Sequence, residues 1–114
     1  MIFQPIQVVT TVPDEDAAER IGQALVTERL AACVQVSGPI TSTYRWQGAV
    51  ETSQEWVCSV KTERAKFEAV EQAIRRLHPY DVPEIVATPI VVGSNSYLVW
   101  LEGALGPDES GGTN

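Results

Sequence analysis

Ile40-Thr41-Ser42-Thr43-Tyr44-Arg45-Trp46-Gln47-Gly48 is the stretch on which the fold turns. Its side chains alternate: Thr41, Thr43, Arg45 and Gln47 fall on one face, Ser42, Tyr44 and Trp46 on the other. That period of two is the pattern of a half-buried strand. Gln47-Gly48 predicts a hairpin turn, and residues 55–61 predict the returning strand, with Trp56, Cys58 and Val60 sharing a face. The middle of the chain is therefore two strands in succession, a long hairpin with no helix between its arms.

On the N-terminal side, residues 6–12 are β-rich and predict a strand that Pro13 stops. Asp14 is placed to cap a helix over 14–30, and Glu15 and Asp16 put negative charge on its first turn. Ala17, Ala18, Ile21, Ala24 and Leu25 recur at three- and four-residue spacing as one apolar stripe. A second strand is predicted over 31–36, interrupted by Gly38-Pro39 before the hairpin begins.

On the C-terminal side, a second helix opens at Thr62 or Glu63, with Phe67, Val70, Ala73, Ile74 and Leu77 as its stripe. Pro79 disfavours helical geometry at His78 and ends it. Residues 85–92 predict a last strand. Pro89 inside it cannot donate to a ladder, so it belongs at an edge or carries a bulge. A short helix is predicted over 97–105. The order strand, helix, strand, strand, helix, strand is the split βαβ, ferredoxin-like arrangement: an α+β fold with an antiparallel sheet, here with an extra C-terminal helix. The expectation is one domain over residues 1–105 and a disordered tail over 106–114, which holds no large apolar residue.

The chain has 114 residues, room for one core, and its 44% hydrophobic and 20% charged residues are those of a globular protein. Fifteen acidic side chains face eight basic ones, for a net charge of -7. That excludes the basic face on which nucleic-acid binding depends. No apolar run approaches the roughly 20 residues of a membrane span, and no signal peptide is visible, so neither a membrane nor export is expected. Two cysteines, Cys33 and Cys58, each in an apolar stretch, read as small buried thiols of a reduced, cytoplasmic protein.

The common catalytic and cofactor signatures are missing: no Gly-rich phosphate loop, no CxxC, no HExxH, no EF-hand loop. Asp14-Glu15-Asp16 is explained by the helix dipole. His78 is the one histidine and cannot by itself build a transition-metal site. Lys61 ends a strand of apolar and small residues, where sites tend to be assembled, although a lysine there also snorkels. Tyr97 and Trp100 stand three apart on one helix face, an arrangement that suits core or interface packing.

Leu30-Ala31-Ala32-Cys33-Val34, Tyr44-Arg45-Trp46-Gln47-Gly48, Ser53-Gln54-Glu55 with Lys61-Thr62, His78-Pro79-Tyr80-Asp81-Val82-Pro83-Glu84-Ile85, and Tyr97 with Trp100 occur in this order. Together they resemble the CutA family of divalent-cation tolerance proteins, from the first strand to about Leu105. The resemblance implies a ferredoxin-like homotrimer, similar to the PII signalling proteins, in which hairpins and edge strands pair across subunits. It implies a non-enzymatic binding or signalling module with copper or another divalent cation as a weak ligand. Some bacterial members hold copper with a cysteine near the end of the first strand and two adjacent histidines. Those positions here are Thr10, Leu77 and His78, so the implied metal residue is His78 alone. The resemblance also implies an inter-subunit cleft built from Cys33, Lys61, His78, Tyr80, Glu84, Tyr97 and Trp100. Lys61 at its strand end and His78 at its helix end then predict a cation pair for a small anionic or polar ligand, with Glu84 holding the lysine when no ligand is bound. Two other functions compete: an undiscovered enzyme using that cleft, with Lys61 stabilising charge and His78 as acid or base, and a structural trimer that scaffolds a partner.

Overall fold

Strand β1 (Pro5–Val12) runs straight into the first helix, because Pro13 stops the strand and Asp14 starts the next element. Asp14 is extended (φ -150°, ψ 164°), and its Oδ1 accepts the Ala17 N–H at 2.8 Å, the capping bond its position predicts. Helix α1 (Glu15–Thr27) buries Ala17, Ala18, Ile21 and Leu25. It stops three residues short of the expected Leu30. Arg29 turns left-handed at φ 60°, and the N–H groups of Leu30 and Ala31 both return to the Leu25 carbonyl. The structure, a computed structural model, describes residues 2–107. The expected tail lies outside the described residues from position 108 onward.

Strands β2 (Cys33–Trp46) and β3 (Ala49–Glu63) are longer than the sequence pattern suggests. Gly38-Pro39 does not end β2. Ser37 pairs with Val57 and Ile40 with Glu55, so the interruption is a register shift, a bulge inside one continuous strand. The turn at Gln47 (φ 49°) and Gly48 (φ 85°) has two left-handed residues, as a two-residue hairpin turn requires, and Ala49 already pairs with Trp46. The return strand therefore begins six residues before Glu55. Beyond the bulge the two strands bond only to each other, with side-chain contacts between Thr43 and Thr52 (3.4 Å) and between Tyr44 and Ser53 (3.2 Å). This arm stretches the molecule to 53 × 27 × 23 Å.

Thr62 stays in β3, where its buried hydroxyl donates to the Leu30 carbonyl at 2.7 Å. A 3-10 turn, Arg64–Lys66, then precedes helix α2 (Phe67–Leu77), which starts later than expected and buries Val70, Ala73 and Ile74. His78 is extended at its end (φ -83°, ψ 134°), as the following proline demands. Strand β4 shrinks from the expected 85–92 to Val86–Pro89. It pairs with β1 from Val9↔Val86 to Ile6↔Pro89, and the Ile90 N–H reaches Pro5, the first residue of β1. Past that point the sheet offers no further partner, and Val91 and Val92 stand 86% and 82% exposed. Helix α3 (Asn95–Leu105) begins two residues earlier than expected because Ser94 caps it, its Oγ accepting the Tyr97 N–H.

The sheet order is β2-β3-β1-β4 with every pair antiparallel, the ferredoxin-like arrangement plus a third helix. Helices α1 and α2 lie on one face. Val8, Val12, Cys58 and Val60 of the sheet pack there with Ile21, Leu25, Val70 and Ile74. Leu101 and Leu105 of α3 are buried outside that cluster, and Arg29 Nη1 donates to the Gly106 carbonyl at 3.0 Å.

Candidate functional site

Of the seven residues assigned to a cleft, six fall into two groups in one chain, and Glu84 stands exposed before β4 in neither. The first gathers where α2 ends against the last residues of β1. His78 is 8% exposed, and its Nε2 lies 2.7 Å from the Thr11 carbonyl, while the Tyr80 backbone N–H lies 3.1 Å from Nδ1. A backbone N–H can only donate, so Nδ1 accepts and the ring proton sits on Nε2, which donates to Thr11. Burial lowers the His78 pKa, against the opposing pull of the Thr11 carbonyl and the Glu55 carboxylate. The ring is a neutral imidazole with both nitrogens engaged.

Tyr80 packs over that ring at a centroid distance of 4.8 Å and donates its hydroxyl to Glu55 Oε2 at 3.0 Å. Burial first, and the Glu55 carboxylate second, push the phenol up to about 12. Glu55 is only 7% exposed and belongs to this group, although sequence reasoning selected no role for it. Its signal was positional: one acidic residue on β3 between a polar arm and the apolar run that begins at Trp56.

The second group lies further along the sheet. Cys33 and Lys61 are partners across β2 and β3, and Lys61 Nζ donates to Gln35 Oε1 at 2.8 Å. The lysine is thus held by a neighbour two residues along β2 from Cys33, not by Glu84, which is exposed in the turn before β4. Cys33 is half-buried rather than buried, unlike Cys58, whose enclosed thiol is pushed up to about 11. Above this end of the sheet, the Tyr97 and Trp100 rings sit 5.5 Å apart. Burial and the neighbouring Cys33 raise the Tyr97 pKa.

Glu55 and Lys61 are six residues apart on β3, so they share a sheet face but stand about 20 Å from each other. One chain therefore does not bring Lys61 and His78 together, and His78, being neutral, does not supply the second cation. Two shallow depressions mark the surface. One of 640 Å³ lies between α1 and α2 and includes Asp16, Glu19 and Leu77. Another of 490 Å³ lies beside β4 and includes Arg64, Phe67 and Pro89. Neither touches any of the seven residues. Among the described residues, no three His, Cys, Asp or Glu side chains are placed to share a metal ion. A cation binding His78 has to displace either the Thr11 or the Tyr80 bond. At the position where the resemblance expects a cysteine ligand stands Thr10, fully buried, its hydroxyl without a hydrogen-bond partner.

Comparison with known proteins places this geometry. The family model described as CutA1 divalent ion tolerance protein matches residues 6–104. The divalent-cation tolerance protein CutA of Thermus thermophilus is 51% identical over 94 residues, 82% of this chain and 91% of that protein. The chloroplastic protein CutA of Arabidopsis thaliana is 39% identical over 97 residues, 85% of this chain and 53% of that one. The crystal structure of CutA from Xylella fastidiosa superposes with a TM-score of 0.87 at 40% identity, covering 90% of this chain and 98% of its own. A match over nearly the whole described chain, in sequence and in fold, makes this protein a member of the CutA divalent-cation tolerance family.

Proposed function

We propose that the protein acts as a homotrimeric, non-enzymatic binding or signalling module in divalent-cation tolerance, with its ligand cleft formed where subunits meet. The observation that carries this reading is the pairing of two unfinished features. The cleft residues are split into two groups on one chain, and the surfaces beside both groups are open and apolar. Tyr44, Trp46 and Val50 on the arm, Val86 to Val92 around β4, and Val99 and Trp100 on α3 include large exposed side chains. Exposed apolar side chains that gather in a patch mark an interaction surface more often than a free one. Seating an arm from one copy against a neighbour covers these surfaces and closes the gap between Lys61 and His78.

A non-enzymatic role is supported by the chemistry of the groups present. The Cys58 thiol is enclosed and raised to about 11, the Tyr80 phenol is raised to about 12, and His78 spends both nitrogens on structure. None of these is an activated nucleophile with a base beside it. Copper or another divalent cation is held weakly, because a cation at His78 must first break a buried hydrogen bond. Lys61, already oriented by Gln35, is the group that receives a small anionic ligand, with Tyr97 and Trp100 as its apolar wall. The two free thiols suit a reducing, cytoplasmic setting.

The test is a thermal-shift screen of small carboxylates, phosphates and divalent metal salts on the native protein and on Lys61→Ala. The expected result is an anion that stabilises the native protein by several degrees and leaves the variant unmoved. Equal shifts in both proteins, or product accumulating in the native incubation, contradict the reading.

A further inference from the structure

The arm is a two-stranded ribbon, and such a ribbon holds no direction by itself. Its direction is set at its root, where β2 carries the bulge between Ser37 and Ile40. Bulges bend the strands that carry them, so something else has to fix the angle. On one side stands Trp56. Its ring lies so close to Gly38 that a Cβ there would approach Cδ1 to 2.7 Å. On the other side stands Glu55, the register partner of Ile40 and the last β3 residue before Trp56.

Glu55 is the end of an unbroken line of hydrogen bonds from the core. The Thr11 carbonyl, at the end of β1, accepts from His78 Nε2. His78 Nδ1 accepts from the Tyr80 N–H, and the Tyr80 hydroxyl donates to the Glu55 carboxylate. His78 and Glu55 are both nine-tenths buried, which shields the His78–Thr11 bond from water, whereas the Tyr80–Glu55 bond is part-buried because Tyr80 is 37% exposed. The imidazole cannot rotate without losing two partners, and the Tyr80 backbone is fixed by it.

We infer that Thr11, His78, Tyr80 and Glu55 form a strut that sets the inclination of the hairpin arm against the body. Tyr80 is the positioning residue of this strut, and it ties the arm to the turn that leads into β4. The arm and that turn move together while the Tyr80–Glu55 bond stands. The strut lies within one chain and holds whatever the number of copies in the assembly.

Amide hydrogen exchange read by mass spectrometry tests it on the intact protein. Tyr80→Phe keeps the ring against His78 and removes only the donor to Glu55. Arm amides between residues 40 and 54 should then exchange roughly tenfold faster, the effect of losing one charge-assisted hydrogen bond at the root, while β1 amides stay as in the native protein. Glu55→Gln keeps an acceptor oxygen for the tyrosine but removes its charge, so arm exchange should rise only about threefold, clearly less than in Tyr80→Phe. Unchanged arm exchange in Tyr80→Phe overturns the inference. So does a rise of the same size in Glu55→Gln, or one spread evenly over the arm and β1.

Discussion

His78 is the residue at which sequence and structure speak most differently. The proline after it does end the helix, and that was legible. Local pattern offers its ring only as a weak metal ligand, an acid or base, or a partner of Lys61 in holding an anion. The partners that decide its chemistry, Thr11 and Glu55, are far away in the chain, and no local pattern announces them. Its neutral form has a measurable consequence. Because burial lowers the folded pKa below the ordinary value of 6.5, the unfolded chain takes up the proton first as the pH falls. His78 therefore contributes stability that is fully present above pH 6.5 and is lost as the pH falls from there through the folded value. Denaturation midpoints should decline as the pH falls below 6.5 in the native protein, and the decline should be visibly shallower in His78→Gln. Parallel slopes in the two proteins would show that the ring is protonated in the folded state.

At the scale of elements, most of the architecture was readable from local chemistry. Asp14 caps α1, the stripes of α1 and α2 reach the core, Gln47-Gly48 turns the hairpin, and Pro89 sits on an edge strand. The misreadings come from partners, not propensities. Gly38-Pro39 looks like a strand end, yet β3 supplies register partners on both sides of it, so β2 continues through a bulge. Val91 and Val92 look like a strand, but β1 begins at Pro5 and leaves them nothing to pair with. The bulge also makes Gly38 the most sensitive glycine in the fold. It has φ 154°, and a methyl group would press on the Trp56 ring at 2.7 and 2.9 Å. Gly38→Ala should cost on the order of 1 to 3 kcal/mol in urea unfolding, through backbone strain and the displaced ring. A midpoint equal to the native one would mean that the arm root yields without cost. Gly48, whose added Cβ meets open space, is a control in which only its left-handed φ of 85° is strained.

For the whole molecule, the central claim is that one chain is an incomplete object. The 14-residue strand β2 leaves a long free edge, and β4 ends the opposite side after four residues. Free edges of that kind are normally paired or covered. Exposed apolar side chains gather on the arm, around β4 and on α3, and His78 and Tyr80 of the implied cleft stand apart from Cys33, Lys61, Tyr97 and Trp100, with Tyr80's partner Glu55 about 20 Å from Lys61 along β3. The sequence showed the parts of this picture through the family resemblance. It did not show that a single chain keeps Lys61 and His78 apart, because that separation follows from strand register. In the trimer we propose, three copies that exchange arms would finish the edges, cover the apolar surface and assemble the cleft together. Sedimentation equilibrium at nanomolar concentration tests this most directly: the account predicts a single species of three times 12.4 kDa, and a particle of 12.4 kDa would contradict it.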